Sequence, residues 1–246
     1  MIASLPMYDR TETAAANDRL WQGIRTNLGY GPQTLTRKGD VWDHWLSPDL
    51  LLSQTCGYPY RARLHGKATL VGTPVYDLDC PPGHYFSVLV ARADDPRSDP
   101  RDFADARFAY NEALSQSGWA APQNFAAHHG FAFSNPLQTG GHRLSAMAVA
   151  EGRADIAGID ALTWKLICRH DSFARTLRVL TQTDPTPVLP YITAKGQDAG
   201  ALYSAIEPAI AKLSTQDRKT LGLKGLIRID PQEYLAIPNP TPPPGA

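Results

Sequence analysis

The stretch from residue 110 to 123, YNEALSQSGWAAPQ, sets two serines, a glycine and a tryptophan ahead of a proline and carries no lysine or arginine. Small hydroxyl residues beside a glycine are the material of an uncharged anion cradle. Pro122 cannot donate an interior helix hydrogen bond, so it belongs in a first turn, and a helix is predicted from about Ala120 to His129. That start leaves the amides of Ser117, Gly118 and Trp119 without intrahelical acceptors, and Gly118 lets a ligand come close to the backbone. Ser115 and Ser117 add hydroxyls, and the positive end of the helix dipole adds about 0.3–1 kcal/mol for an anion. The same residues also read as a plain helix cap, with Ser117 in the capping role.

Two more positions fall at comparable junctions in TGGHRLSAMAVAEGRADIAGID. His142 opens a helix behind two glycines, where it either donates to an oxyanion or is an ordinary capping residue. Asp160 closes a strand, where a carboxylate either caps the next helix or accepts from a proton-bearing ligand group. An ionised carboxylate only accepts hydrogen bonds, so it favours a ligand with a proton or ammonium and repels sulfate. Ser117, His142 and Asp160 are also the residue types of a nucleophilic triad. The serine, however, stands in L-S-Q-S-G rather than in a G-x-S-x-G elbow. His128 and His129 are adjacent and point in different directions on a helix, and there is no Walker loop or G-x-G-x-x-G. No metal and no cofactor are expected.

The elements that must position these residues alternate between short apolar runs and helical patterns, which indicates an α/β fold. MIASLPMY reads as a strand and DRTETAAANDRLWQGIRTNLG as a helix, with Asp9 and Glu12 spaced as a capping box and Leu20, Ile24 and Leu28 on one face. DLLLSQ, KATLVGTPVY and HYFSVLVAR read as strands, and TCGYPYRARLHG as a short helix. Trp42 and Trp45, three apart, read as helix packing. The polar stretch ADDPRSDPRDFADA marks a lobe boundary. Beyond it come strands RFAY, FAFSNPLQ, ADIAGID and LRVLTQT, with helices in HRLSAMAVAEGR and ALTWKLICRH between them. DPTPVLP is a return crossing with Pro187 and Pro190 stiffening it, and Tyr191 beside it faces a ligand cleft. PYITA, a helix near 198–213 and a small helical region follow. The expected division is lobe 1 from 1–88 and 187–246, lobe 2 from 89–186, and a flexible tail at 238–246 that is too poor in apolar residues to order itself.

Composition bounds the class. With 43% hydrophobic residues, 246 residues can bury a large core or two smaller ones. Lys+Arg and Asp+Glu both number 24, so no global charge draws the chain to nucleic acid or to an anionic membrane. No apolar run reaches membrane-spanning length, and the amino terminus lacks a basic segment followed by an apolar run and cleavage site. Cys56, Cys80 and Cys168 show no C-x-x-C spacing. Three buried thiols are the preferred reading, with a Cys56–Cys80 disulfide left open.

The two blocks around SQSGW and TGGHRLSAMAVAEGRADIAGID resemble those of the phosphate/phosphite/phosphonate substrate-binding proteins of ABC transporters. The resemblance implies a two-lobed type II periplasmic-binding-protein fold with mixed sheets flanked by helices and a ligand cleft between lobes. It implies capture of a small oxyanion, without catalysis, for delivery to an ABC permease by a monomeric chain with no nucleic-acid partner. By position, Ser115, Gln116, Ser117, Gly118 and Trp119 match the anion loop, His142 the histidine of the later helix, and Asp160 the acid closing the next strand. Tyr8, Gln54, Thr55 and Tyr85 are the matching aromatic, amide and hydroxyl residues of the first lobe. The compartment is periplasmic on this resemblance if an export signal has been trimmed, and cytoplasmic otherwise. The alternatives are a cytoplasmic enzyme recruited on the same fold and a sensory binding module without a permease.

Overall fold

In the computed structural model, which describes residues 1–245, the chain divides into two units: Met1–His84 with Pro187–Ala236, and Tyr85–Thr186 with the stretch from Ile237 onward. The run Leu50–Gln54 is buried at all five positions, as a strand covered on both faces must be. It is the second of five strands in the unit 1 sheet, whose order is Ile2–Ala3, Leu50–Gln54, Tyr191–Ala194, Ala68–Tyr76, Leu223–Ile227. Only the first pair is parallel; the other three are antiparallel. Helix Ala14–Leu28 turns Leu20, Trp21 and Ile24 inward and packs on helix Ala199–Lys212, where a side chain on Gly23 would lie 3.3 Å from Ala209 Cβ.

Three local expectations are corrected in this unit. The first strand stops at Ala3 instead of running to Tyr8, because Pro6 has no N–H to continue a ladder. The helix after it starts at Ala14 and has no capping box. Asp9 is drawn off by Arg37 (2.6 Å) and Asn17 (3.0 Å), and Glu12 by Arg10. Finally, Leu223–Ile227 is a strand within a region read as helical. Gly222 at φ 63° ends the helix Thr215–Leu221 in the left-handed region, and the next run then pairs with Ala68–Tyr76.

In unit 2 the sheet order is Asn135–Gln138, Arg107–Tyr110, Ile156–Asp160, Ser87–Arg92, Leu177–Gln182. The first three are mutually parallel, and Ser87–Arg92 runs antiparallel to both neighbours. The sheet is therefore mixed, and its three parallel strands end at Tyr110, Gln138 and Asp160 on one edge. Helix His142–Ala150 buries Ala146, Ala148 and Val149 against Val90, Ala109 and Ile159 of the sheet.

The proline-rich tail is not a free appendage of the first lobe. Trp119 Nε1 donates to Thr241 O (3.1 Å), Asn124 Nδ2 donates to Pro238 O (3.0 Å), and Pro243 is buried, all within unit 2. Backbone carbonyls fix this segment, so its poverty in apolar side chains was the wrong criterion. Ala246 lies outside the described residues. Among the described residues no cysteine is in a disulfide, and no helix is long and apolar enough to cross a membrane.

Gly158, in the strand that ends at Asp160, has no room for a side chain: a Cβ would sit 2.6 Å from Pro122 Cγ and 3.1 Å from Gly118 O. Neither atom is the end of a flexible chain. Gly158→Ala is expected to destabilise the protein by about 1–3 kcal/mol, read as a lowered melting temperature; an unchanged melt would show that the close approach is not required.

Candidate functional site

The serine-rich segment begins its helix one turn earlier than Pro122 demands. Ser115 is the cap, its Oγ accepting from Gly118 N at 2.9 Å, and Gln116–Ala120 form one wide turn in which Ala120 N donates to Ser115 O (2.9 Å) and Ala121 N to Gln116 O. The α-helix Ala121–His128 follows, with Pro122 in its first turn. This corrects two expectations. Ser115 rather than Ser117 caps the helix, and the amides of Gly118 and Trp119 already have acceptors, Trp119 N donating to Ser115 O at 3.2 Å. What the turn leaves open is Ser117, whose amide has no carbonyl one turn back and whose hydroxyl points elsewhere.

Gly118 is required here for a reason the sequence alone does not disclose. A Cβ on it would lie 1.9 Å from Asn111 Oδ1, an oxygen that is itself buried with no hydrogen-bond partner among the described residues. Gln116 is buried, at 1% exposure. Trp119 serves the interior: its ring lies 4.8 Å from that of Tyr110 and 6.3 Å from that of Phe108, and its N–H is taken by Thr241.

His142 reaches this turn because the loop before it is tied to the end of the strand Arg107–Tyr110. Thr139 N and Oγ1 both donate to Tyr110 O (2.9 and 3.0 Å), and Gly140 N donates to Asn111 O (3.0 Å). The helix then opens at His142, and His142 Nε2 lies 2.8 Å from Ser117 Oγ. Burial pushes the imidazole down to about 4, while the Gly158 carbonyl beside it favours the protonated ring and only partly offsets this. Nδ1 has no well-aligned partner among the described residues. At neutral pH the pair is a hydroxyl against a neutral imidazole. Asp160 is 2% exposed and caps the helix Ala161–His170, Oδ1 accepting from Thr163 N at 2.7 Å. Ser117, His142 and Asp160 thus stand at or just beyond the carboxyl ends of the three parallel strands. Carboxyl ends of strands are where ligands bind in α/β sheets.

Unit 1 has a pocket of its own, a cavity of about 20 Å³. Its polar lining is Tyr8, Asn17, Gln54, Tyr76 and Tyr191, and its apolar lining is Leu5, Leu20, Leu221 and Leu223. Gln54 and Tyr76 close their strands here, and Tyr191 stands opposite Gln54 in the ladder. Gln54 Nε2 donates to Tyr76 Oη (2.9 Å) and to Leu189 O (3.0 Å), while the Tyr8 and Tyr76 rings meet edge to face at 5.2 Å. Of the first-lobe residues expected from sequence, Tyr8 and Gln54 come together in this pocket. Thr55 does not line it: its amide donates to Pro190 O (3.1 Å) and its side chain lies against the Cys56 carbonyl. Tyr85 belongs to unit 2, where it is buried. Asn17, Tyr76 and Asn111 were missed, each being a single polar residue in an ordinary local pattern.

Residues 49–234 match the family described as ABC transporter, phosphonate, periplasmic substrate-binding protein. Among solved structures the chain is similar to PhnD1 from Prochlorococcus marinus in complex with methylphosphonate, at 14% identity and a TM-score of 0.77, covering 96% of this chain and 95% of that one. It is also similar to a binding protein component of an ABC phosphonate transporter from Pseudomonas aeruginosa, at 16% identity and a TM-score of 0.72, covering 96% and 83%. XAC2383 from Xanthomonas citri, bound to ATP, matches at 16% identity and a TM-score of 0.70, covering 96% and 95%. At such identities these likenesses speak for the fold alone. No curated protein matches the chain.

The depressed His142 predicts an acid limb in stability. Between about 4 and the ordinary value of 6.5 the unfolded chain binds a proton that the folded ring refuses, so stability is full above pH 6.5 and falls as the pH drops toward 4. The loss at the acid end is about 2 kcal/mol, less than the full shift would give because the residue keeps some exposed surface. Urea denaturation at pH 7 and pH 4.5 reads it, and His142→Gln is expected to flatten the difference; an equal slope in the variant would assign the limb to another group.

Proposed function

The chain belongs to the phosphonate periplasmic substrate-binding proteins of ABC transporters, and we propose that it captures a small phosphonate-like oxyanion on the Ser115–Trp119 turn without transforming it. The observation that carries this reading is the Ser117 Oγ to His142 Nε2 contact at 2.8 Å. It sits at the amino end of a helix and at the carboxyl ends of parallel strands, where backbone dipoles favour a negative group. The bound form of PhnD1 with methylphosphonate supports the choice of ligand class. The chain works as a monomer that delivers its ligand to an ABC permease in the periplasm.

In this reading Ser117 supplies a hydroxyl and an amide, His142 an imidazole nitrogen, and Asp160 a carboxylate oxygen that accepts the ligand's proton. Phosphonate and phosphite carry such a proton near neutrality. Sulfate does not, and it meets only repulsion from the carboxylate. The turn itself contains no cation, so its donors are all neutral and selection rests on proton complementarity rather than on bulk charge.

One geometric observation favours a second reading. A serine hydroxyl 2.8 Å from a neutral imidazole is a nucleophile–base pair, which suits a hydrolase. Against it, Asp160 spends Oδ1 on the Thr163 amide, and Ser117 is 3% exposed, without a strained elbow to present it. The capture reading expects no turnover of an activated ester; steady hydrolysis lost in Ser117→Ala would replace it.

A thermal-shift series tests capture directly. Methylphosphonate or phosphite at 100 times its dissociation constant is expected to stabilise the protein by about 2.7 kcal/mol, and sulfate to leave it unchanged. Ser117→Ala should abolish the shift. Asn is as good a helix cap as Asp, so Asp160→Asn should retain fold stability while weakening the ligand by about 1.5–3 kcal/mol. Equal affinity in Asp160→Asn would remove that carboxylate from the site, and no shift with any phosphorus oxyanion would defeat the reading.

A further inference from the structure

Asn111 is the first residue beyond the strand Arg107–Tyr110, which lies between the other two parallel strands of the unit 2 sheet. It touches both segments that carry the serine–histidine pair. Its carbonyl accepts from Gly140 N (3.0 Å) in the loop that leads to His142, and its side-chain oxygen lies against Gly118, next to Ser117, so closely that a Cβ on Gly118 would collide with it. The residue is thereby wedged between the two segments whose side chains meet at 2.8 Å.

The two arms of the Asn111 carboxamide are in different situations. Oδ1 is buried and takes no hydrogen bond among the described residues, and a buried acceptor without a donor costs free energy. Nδ2 also has no hydrogen-bond partner among the described residues, but it is not enclosed: the residue is half-buried, and of its two polar side-chain atoms only Oδ1 is shut off from solvent. The opposite orientation would press the two N–H groups onto the Gly118 methylene with no acceptor, whereas an oxygen in that place meets a Cα–H. Packing on Gly118 therefore holds the oxygen inward and turns both N–H groups outward, at the carboxyl edge of the parallel strands, where ligands bind. Glu112, the next residue, is exposed and accepts from Gln138 Nε2 (3.2 Å). An apolar side chain of the same size would fill the space beside Gly118 with no desolvation cost, so packing alone does not call for an amide here.

We propose that Asn111 is a ligand-binding residue of the anion site: its Nδ2 donates to an ionised oxygen of the oxyanion held by Ser117, and the buried Oδ1 is the arm that aims this donor. The inference rests on the capture reading of the Ser115–Trp119 turn, to which it adds a side-chain donor from a separate segment of unit 2. A carboxamide gives an ionised oxygen a charge-assisted hydrogen bond without bringing a cation into the site.

Calorimetric titration of the full chain with methylphosphonate, beside thermal melts, separates a ligand contact from a packing role. Asn111→Ala removes both arms of the amide. It is expected to weaken methylphosphonate at least fivefold and to melt no lower than the wild type, since the unpaired buried oxygen goes with the donor. Asn111→Asp keeps the shape that packs on Gly118 and puts a charged oxygen in the donor's place, and it is expected to bind at least tenfold more weakly than Asn111→Ala. A packing role predicts the reverse order, with the isosteric Asp keeping affinity that Ala loses. An Asp variant that binds as well as the Ala variant, an Ala variant weakened less than fivefold, or an Ala variant that melts more than a few degrees below the wild type overturns the contact and leaves phosphonate capture standing. Failure of the wild type to bind methylphosphonate overturns capture and the contact together.

Discussion

Gly158 and the turn at Gly118 approach so closely that Gly158 cannot carry a side chain: a methyl there would strike the Pro122 ring and the Gly118 carbonyl, while one on Gly118 would strike the Asn111 amide. Unit 2 is organised around this approach. It presses the serine turn flat against the strand Ile156–Asp160, which fixes the direction in which Ser117 projects. It also explains why the turn is wide. A five-residue bond spacing, Ala120 N to Ser115 O, lets the backbone settle onto the strand before the regular helix starts at Ala121. The position of His142 follows from the same geometry, since its loop is tied to Tyr110 and Asn111 at the base of that turn.

Building such a site without a cation has a physical consequence. An arginine or lysine attracts every anion, protonated or not, and its field is felt over a Debye length. Hydroxyls, amides and a neutral imidazole act only within hydrogen-bond reach, and what they distinguish is where donors and acceptors lie on the ligand. The pocket of unit 1 obeys the same rule. Its lining has no ionised side chain. A chain with equal numbers of acidic and basic residues places its charges in surface and structural pairs such as Arg97 with Asp95, and leaves these two places neutral.

The pattern of apolar runs was enough to locate most strands and helices, because a five-residue buried run such as LLLSQ and a 3.6-residue stripe such as Leu20 with Ile24 are local signals. Features decided by distant partners were not legible. Leu223–Ile227 is a strand because Ala68–Tyr76 lies beside it, and nothing within LKGLI announces that. The capping box at Asp9 failed because Arg37, far along the chain, claims the carboxylate. The tail was misread for the same reason, since the donors that hold it, Trp119 and Asn124, are more than a hundred residues away. At the serine turn the residue types were legible and their roles were not. Ser115 and Ser117 look alike in sequence, and only the wide turn decides that the first is spent on Gly118 N and the second is turned to His142.

The Ser117–His142 pair also limits how an anion is received. With the imidazole held neutral, one proton lies along the 2.8 Å line between Oγ and Nε2, given either by the serine or by the ring. An oxyanion on Ser117 needs that hydroxyl to donate outward. The serine can do so only if Nε2 carries the proton along the line, so that Oγ accepts from the ring while donating to the anion. The ring then has no hydrogen at Nδ1 and gives up any bond from there to the Gly158 carbonyl, unless it takes up a second proton. A negative group nearby makes that second proton easier to hold, opposing the burial that drives it off. If the resting ring carries its proton on Nδ1, binding an anion on Ser117 would be coupled either to a shift of tautomer or to proton uptake, the choice depending on how far the ligand's charge offsets the desolvation of the ring; if it already carries the proton on Nε2, neither is required.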